Sequence, residues 1–219
     1  MERIPIIKIF FKNLRILPFV IFIWNCENQF SKNELYLPPG KPDAFPELTE
    51  RNRLLGELSP ERSCYDVLHY LIDIDFDIEK KYIKGFVEIR STAKADFSIL
   101  QIDLARRMML NKVEFQDQIL KTSRKKDAVF IEFPNIKDGE NFTFRIYYEG
   151  KPLESKNPPW DGGFVWEKDK DGRPFISVAC EGDGASLWWP LKDHIADEPD
   201  EGATMTFTVP SELYCVSNG

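Results

Sequence analysis

Histidine and cysteine are scarce in this chain, and their scarcity removes most metal and redox chemistry. Only His69 and His194 occur among 219 residues, and no His-Glu-x-x-His is present. A catalytic zinc ordinarily takes three protein ligands, so no metal site is readable here. The four cysteines, Cys26, Cys64, Cys180 and Cys215, include no Cys-x-x-Cys pair, which argues against a zinc ribbon or a dithiol redox centre. The three thiols beyond Cys26 cannot all pair internally. One disulfide of unreadable connectivity is open in an oxidising compartment, and small buried thiols are the default. No apolar run approaches the roughly 20 residues that span a bilayer. A Ser-centred elbow, a phosphate-binding Gly-rich loop and a Cys/His catalytic signature are all missing. Basic surface is lacking too. The formal charge is −7, and nucleic acid is excluded as a partner because phosphate binding needs a basic face.

What charge there is lies unevenly. Residues 1–25 carry Arg3, Lys8, Lys12 and Arg15 against Glu2, a net of +3 that leaves −10 on the remainder. The apolar stretch 16–24 follows, and its nine residues are too few for a membrane span. A basic region before a short apolar run reads as a signal peptide over 1–25. Cys26 then stands where a bacterial lipoprotein is cleaved and acylated, although Ile23-Trp24-Asn25 matches the usual lipobox loosely. The expectation is an exported protein, anchored to a membrane through a lipid on Cys26, periplasmic or at the cell surface. Residues 26–62 are polar and carry Pro38, Pro39, Pro42, Pro46 and Pro60. They read as a Pro-rich tether with a helical turn near 47–58.

At Tyr65 the pattern changes. Leu68, Tyr70, Ile72, Ile74, Phe76 and Ile78 alternate with Asp73, Asp75, Asp77 and Glu79, a period of two that predicts a strand with one wet face. Glu79-Lys80-Lys81 turns the chain into a second strand over 82–91, so the pair predicts a hairpin. Further strands are predicted at 98–104, 112–116, 128–133, 141–148, 163–166, 175–180 and 203–209. With no convincing helix, the class is all-β, an antiparallel β-sandwich over 63–219.

Four features invite functional readings. EKDKDGRP places Glu167, Asp169, Asp171 and Gly172 at EF-hand spacing, but Val178 occupies the position that needs a bidentate carboxylate. A hairpin turn with Gly172 at positive φ is the better reading. Asp193, Asp197, Glu198, Asp200 and Glu201, with His194 among them, read as a solvated acidic loop. His69 reads as a packed strand residue. Trp160, Trp166, Trp188 and Trp189 fit a sandwich core or an interdomain face better than a sugar platform.

Several segments, in order, resemble the amino-terminal domain of the aminopeptidase N family of zinc metallopeptidases (the gluzincin aminopeptidases). YDVLHYLIDIDFDIEKKYIKGFVEIR resembles the opening strand pair with its Ile-x-Gly turn. LQIDLARRMMLNKVEF and FTFRIYYEGKP resemble later strands, and ACEGDGASLWWPLKDHIADEPD resembles the stretch before the domain boundary. The resemblance covers residues 63–219. It implies a saddle-like β-sandwich that acts on peptides with a free amino terminus. It also implies that Glu181, in Ala179-Cys180-Glu181-Gly182, holds the substrate's α-amine, because an ammonium group is best held by charge-assisted hydrogen bonds. Zinc in that family is bound by His-Glu-x-x-His and a downstream Glu and activates water for peptide hydrolysis. Neither that motif nor Gly-x-Met-Glu-Asn is present in the chain. The resemblance therefore implies a fragment that is not catalytic alone, binds no zinc itself, and partners a missing catalytic domain beyond Gly219. Its sandwich is expected to be incomplete at the carboxyl end and to expose apolar surface. The competing expectation is a non-enzymatic surface lipoprotein whose sandwich binds a protein or glycan.

Overall fold

The computed structural model describes residues 47–217. Residues 1–25, read as a signal peptide, Cys26 and the part of the expected tether up to position 46 lie outside the described residues. The compact unit begins at Glu47, ahead of the boundary at 63 read from the sequence. Two short helices occupy the difference, α1 Glu50–Gly56 and α2 Pro60–Ser63. Thr49 starts α1 through a capping box: its Oγ1 accepts from the Asn52 amide at 3.2 Å, and Asn52 Oδ1 accepts from the Thr49 amide at 3.0 Å. Pro60 opens α2 at the one helical position where a missing N–H is harmless. Neither helix has a fully buried apolar residue. Each is held by what it delivers, above all Arg62, which is fully buried. Among the described residues no helix is long and apolar enough to cross a membrane.

From Tyr65 onward the fold is the expected β-sandwich. The strands are β1 Tyr65–Asp77, β2 Tyr82–Ala93, β3 Phe97–Asp103, β4 Met108–Phe115, β5 Gln118–Ile119, β6 Thr122–Lys125, β7 Ala128–Ile136, β8 Asn141–Gly150, β9 Gly163–Lys168, β10 Pro174–Ala179 and β11 Ala203–Thr208. One sheet has the order β11-β1-β2-β8-β4-β5, a second has β3-β7-β6, and β9 and β10 form a separate hairpin. Ile72, Ile74, Val87, Ile89, Phe144 and Ile146 of the large sheet share one buried cluster with Leu100, Ile102, Val129, Ile131 and Phe133 of the small one. At its centre Phe133 meets Phe97, Phe115, Phe142 and Phe144 with ring centroids 5.2–5.8 Å apart, all near edge-on, the arrangement ring quadrupoles favour.

Three details differ from the sequence reading. The alternation of β1 breaks at Leu68, where the register against β2 shifts between Val67 and His69. A bulge of this kind inserts one unpaired residue. Tyr65 and Val67 therefore stay buried in one phase, while Tyr70, Ile72 and Ile74 are buried in the other. Gly85 is not in the turn that the family resemblance implied. It lies inside β2, opposite Ile74, and the turn is made by Ile78–Lys81, where Lys81 takes φ +51°. Finally, β11 runs parallel to β1, pairing Tyr70 with Ala203 and Ile74 with Phe207. The sandwich is antiparallel except at this edge. β5 and β6 were not foreseen, because TSRK is exposed at all four positions and shows no alternation.

Candidate functional site

The candidate site grows from the hairpin β9–β10. Its turn is the EKDKDGRP segment, with Gly172 at φ +81° as expected. Asp169 closes the turn, its carboxylate accepting from the amides of Asp171 and Arg173 at 2.9 Å each. At the other end β10 stops at Ala179, paired with Gly163. The chain then makes a tight turn in which the Gly184 amide donates to the Cys180 carbonyl at 2.9 Å. Gly182 and Gly184 take φ +79° and +84°, the region glycine enters at least cost. Glu181 stands in this turn, exposed. Among the described residues its carboxylate has no hydrogen-bond or ion-pair partner. Cys180 is half-buried and Gly182 exposed. Burial, with the charges of Asp193 and Asp183 behind it, pushes the Cys180 thiol up, which disfavours the thiolate.

Two carboxylates hold the turn from below. Asp183 Oδ2 accepts from the Gly162 amide at 3.1 Å, joining the turn to the loop that exposes Trp160. Asp193 Oδ2 accepts from the Ser186 amide at 3.0 Å, and a Cβ at Gly184 would overlap that carboxylate. Asp193 is itself placed by a buried ion pair. The Arg62 guanidinium pairs with Asp103, both side chains fully buried, and donates to the Asp193 carbonyl at 3.1 Å. Asp103 accepts from the Asp193 amide at 3.3 Å and from Gln101 Nε2 at 3.0 Å. Gln101 in turn donates to the Leu54 carbonyl at 2.9 Å, tying α1 to the same knot. None of Arg62, Asp103 and Asp183 was singled out in the sequence, and Arg62 lies in a stretch that reads as tether.

The acidic segment is only partly the solvated loop it reads as. Asp197 is buried in an ion pair with Lys192, whose ammonium also sits 4.5 Å over the Tyr65 ring. Glu201 pairs with Arg90 across the strand edge. His194 Nε2 lies 3.3 Å from the Gly56 carbonyl, and His69 Nε2 lies 3.1 Å from Thr204 Oγ1. The two histidines do not meet. Among the described residues no three His, Cys, Asp or Glu side chains converge on a point that would hold a metal ion. Cys64, Cys180 and Cys215 are unpaired; Cys64 is buried, Cys180 half-buried and Cys215 exposed. The tryptophans do not form a platform. Trp166, Trp188 and Trp189 pack against the core, with Trp188 and Trp189 edge-on at 6.5 Å, while Trp160 is 80% exposed.

Burial pushes the Asp103 carboxyl up to about 6, against the pull of Arg62 and of the hydrogen bonds from Gln101 and Asp193. Unfolded, such a carboxyl titrates near about 3.9. The folded chain therefore holds this proton more tightly. Stability from it is complete below about pH 4 and is lost as the pH rises through about 6. Exposed carboxylates held low, such as Asp96 beside Lys137 and Glu50 beside Lys125, act in the opposite sense. Comparison with Asp103→Asn isolates the buried group. The gap in melting temperature, wild type minus variant, is expected to widen as the pH falls from 7 to 4.5. A constant gap would contradict the raised value.

The sandwich has the fold of part of M1 zinc metallopeptidases, in agreement with the resemblance read from the sequence. A two-domain M1 zinc metallopeptidase variant bound to L-tryptophan is similar at 23% identity and a TM-score of 0.52, over 70% of this chain and 33% of that one. An M1 zinc metallopeptidase variant from Deinococcus radiodurans, bound to a Tyr-Ser-Ala substrate, is similar at 22% identity and a TM-score of 0.50, over 65% and 31%. Leukotriene A4 hydrolase from Saccharomyces cerevisiae is similar at 18% identity and a TM-score of 0.54, over 81% and 27%. The likeness at these identities is one of fold, and the chain spans 27–33% of the length of those proteins. No protein-family profile matches the chain, and no curated protein matches it in sequence.

Proposed function

We propose that this chain is the amino-terminal, substrate-amine-recognising part of an exported zinc aminopeptidase, a metallopeptidase that releases amino-terminal residues from peptides. In this reading a peptide is the substrate, and the zinc and the water-activating groups belong to a catalytic domain outside these 219 residues. Residues 1–25 direct export and Cys26 carries the lipid that anchors the protein to a membrane. The observation that carries the reading is the Glu181 carboxylate, without a partner among the described residues and held out on a braced glycine turn in the fold of M1 zinc metallopeptidases. A carboxylate kept free of internal partners is suited to receive an ammonium group, with Ala179, Cys180 and Gly182 shaping the backbone around it.

The test is a titration of the chain with the tripeptide Tyr-Ser-Ala and with its N-acetylated form, followed by NMR at residues 179–184. The free amine is expected to shift these resonances and the acetylated form to leave them in place. Glu181→Ala is expected to weaken binding by about tenfold or more, the worth of a hydrogen bond to a charged group. Equal binding of both forms would remove Glu181 from the site.

A second reading, a non-enzymatic surface lipoprotein that binds a protein or glycan, draws on a different feature. An open apolar groove of about 450 Å³ runs between the β9–β10 hairpin and β11, lined by Phe76, Phe164, Phe175, Trp188, Phe207 and Tyr214. Capture of the natural polypeptide with an antibody against residues 63–219 separates the two readings. A species several hundred residues longer, with bound zinc and aminopeptidase activity, supports the enzyme. A species near 25.5 kDa, less the signal segment, supports the binder.

A further inference from the structure

We propose that Asp193 is a positioning residue for the Glu181 turn, and that through it the buried Arg62–Asp103 pair makes the short amino-terminal helices part of the substrate-recognition machinery. The inference rests on the reading of Glu181 as the amine ligand.

Glu181 stands on a turn with two glycines at positive φ, and such a turn has little rigidity of its own. What limits it lies downstream. The Asp193 carboxylate accepts the Ser186 amide at 3.0 Å at the start of the 3-10 turn Ala185–Leu187. It also fills the space a Gly184 side chain would need. One carboxylate therefore sets both the backbone that leaves the Glu181 turn and the close approach that only glycine permits. Asp193 is fixed in turn at its own backbone. Its carbonyl accepts from Arg62, and its amide donates to Asp103 at 3.3 Å. The antiparallel bridge between Asp103 and Leu191 locks the segment to β3, with N–H···O distances of 2.8 and 3.1 Å. A continuous hydrogen-bonded path thus runs from α2 and β3 to the Glu181 turn. Asp183, which accepts the Gly162 amide on the other side, limits the turn from one flank only.

The geometry separates Asp193 from a residue that merely supports the fold. Its carboxylate is only half-buried and contacts the turn rather than the sandwich core. Its loss is expected to loosen residues 180–187 and to leave the sheet intact. Asparagine keeps an oxygen acceptor at the same place, so it is expected to retain most of the hold.

The experiment uses the full chain with Asp193→Ala, Asp193→Asn and Glu181→Ala. Amide hydrogen exchange is followed at Ser186 and in peptides covering 180–187, with peptides from β1 and β2 as controls. Asp193→Ala is expected to speed exchange over 180–187 by tenfold or more, with β1 and β2 unchanged and binding of Tyr-Ser-Ala weakened about tenfold. Asp193→Asn is expected to stay within about threefold of the wild type in both. Unchanged exchange in Asp193→Ala overturns the proposal. So does a loss of protection that spreads equally to β1 and β2, because that is a folding defect. If Glu181→Ala leaves binding of Tyr-Ser-Ala unchanged, the amine reading falls, and the Ser186 exchange still decides whether Asp193 holds the turn.

Discussion

Arg62→Ala is expected to destabilise the domain by about 3–5 kcal/mol, because it leaves a carboxylate buried without its counter-charge. Both members of the Arg62–Asp103 pair are fully buried, so water does not replace the lost partner. The same substitution leaves the carbonyls of Leu55, Glu57 and Asp193 without a donor that now serves all three. In a domain of this size the loss corresponds to a fall of roughly 10 °C in melting temperature. Replacing both charges, Arg62→Met with Asp103→Leu, is expected to recover part of the stability, since an apolar pair has no desolvation cost to offset. The remainder is the Asp193 amide and Gln101 Nε2, which lose an acceptor, and the Leu55, Glu57 and Asp193 carbonyls, which lose their donor. Urea denaturation of the three proteins checks this. A loss below about 1 kcal/mol in the single variant would mean that the pair behaves as a surface ion pair.

Gly85→Ala is expected to cost about 3 kcal/mol, the upper range for overpacking. A Cβ there would overlap the Asp73 carbonyl oxygen and lie 2.9 Å from the Ile74 Cα. Both obstacles are backbone, so no side-chain rotation relieves them. β1 and β2 are interior strands of the six-stranded sheet, and neither can move aside without loosening β11 or β8. Gly56→Ala supplies the contrast. It ends α1 with nothing within 4 Å of a new Cβ. It is expected to be neutral or to stabilise by up to about 1 kcal/mol, the helix-propensity difference. Equal denaturation midpoints for the two variants would show that the close approach at Gly85 is not a constraint.

These two positions also mark where sequence reasoning stops. Gly85 is conspicuous in the sequence: alternation puts it inside the strand over 82–91, the family resemblance puts it in a turn, and neither says why glycine is needed there. Only the partner strand reveals that the demand is close approach rather than positive φ. Arg62 is less legible still. It sits among prolines and charges, without periodicity, and its partners lie 41 and 131 positions away. A long charged side chain is exposed by default, and its burial depends wholly on what the remote chain brings to it. Asp197 and Lys192 repeat the lesson, since a cluster of like charges reads as solvated until the one buried cation appears. The parallel pairing of β11 with β1 was likewise beyond reach, because alternation gives a strand its faces and says nothing of its direction.

The sequence by itself determined the class of this domain. Period-two alternation in β1, β2 and β8 set which side chains face inward, because successive residues of a strand point to opposite faces. The ordered segments through ACEGDGASLWWP were sufficient to indicate the family resemblance and to single out Glu181. The tertiary structure decided how the Glu181 turn is held. Its supports, Asp183 on Gly162 and Asp193 on Ser186, with Arg62 and Asp103 behind, come from separate stretches of the chain. Local pattern records the burial of a face, whereas a hydrogen bond between distant residues exists only once packing has brought donor and acceptor together.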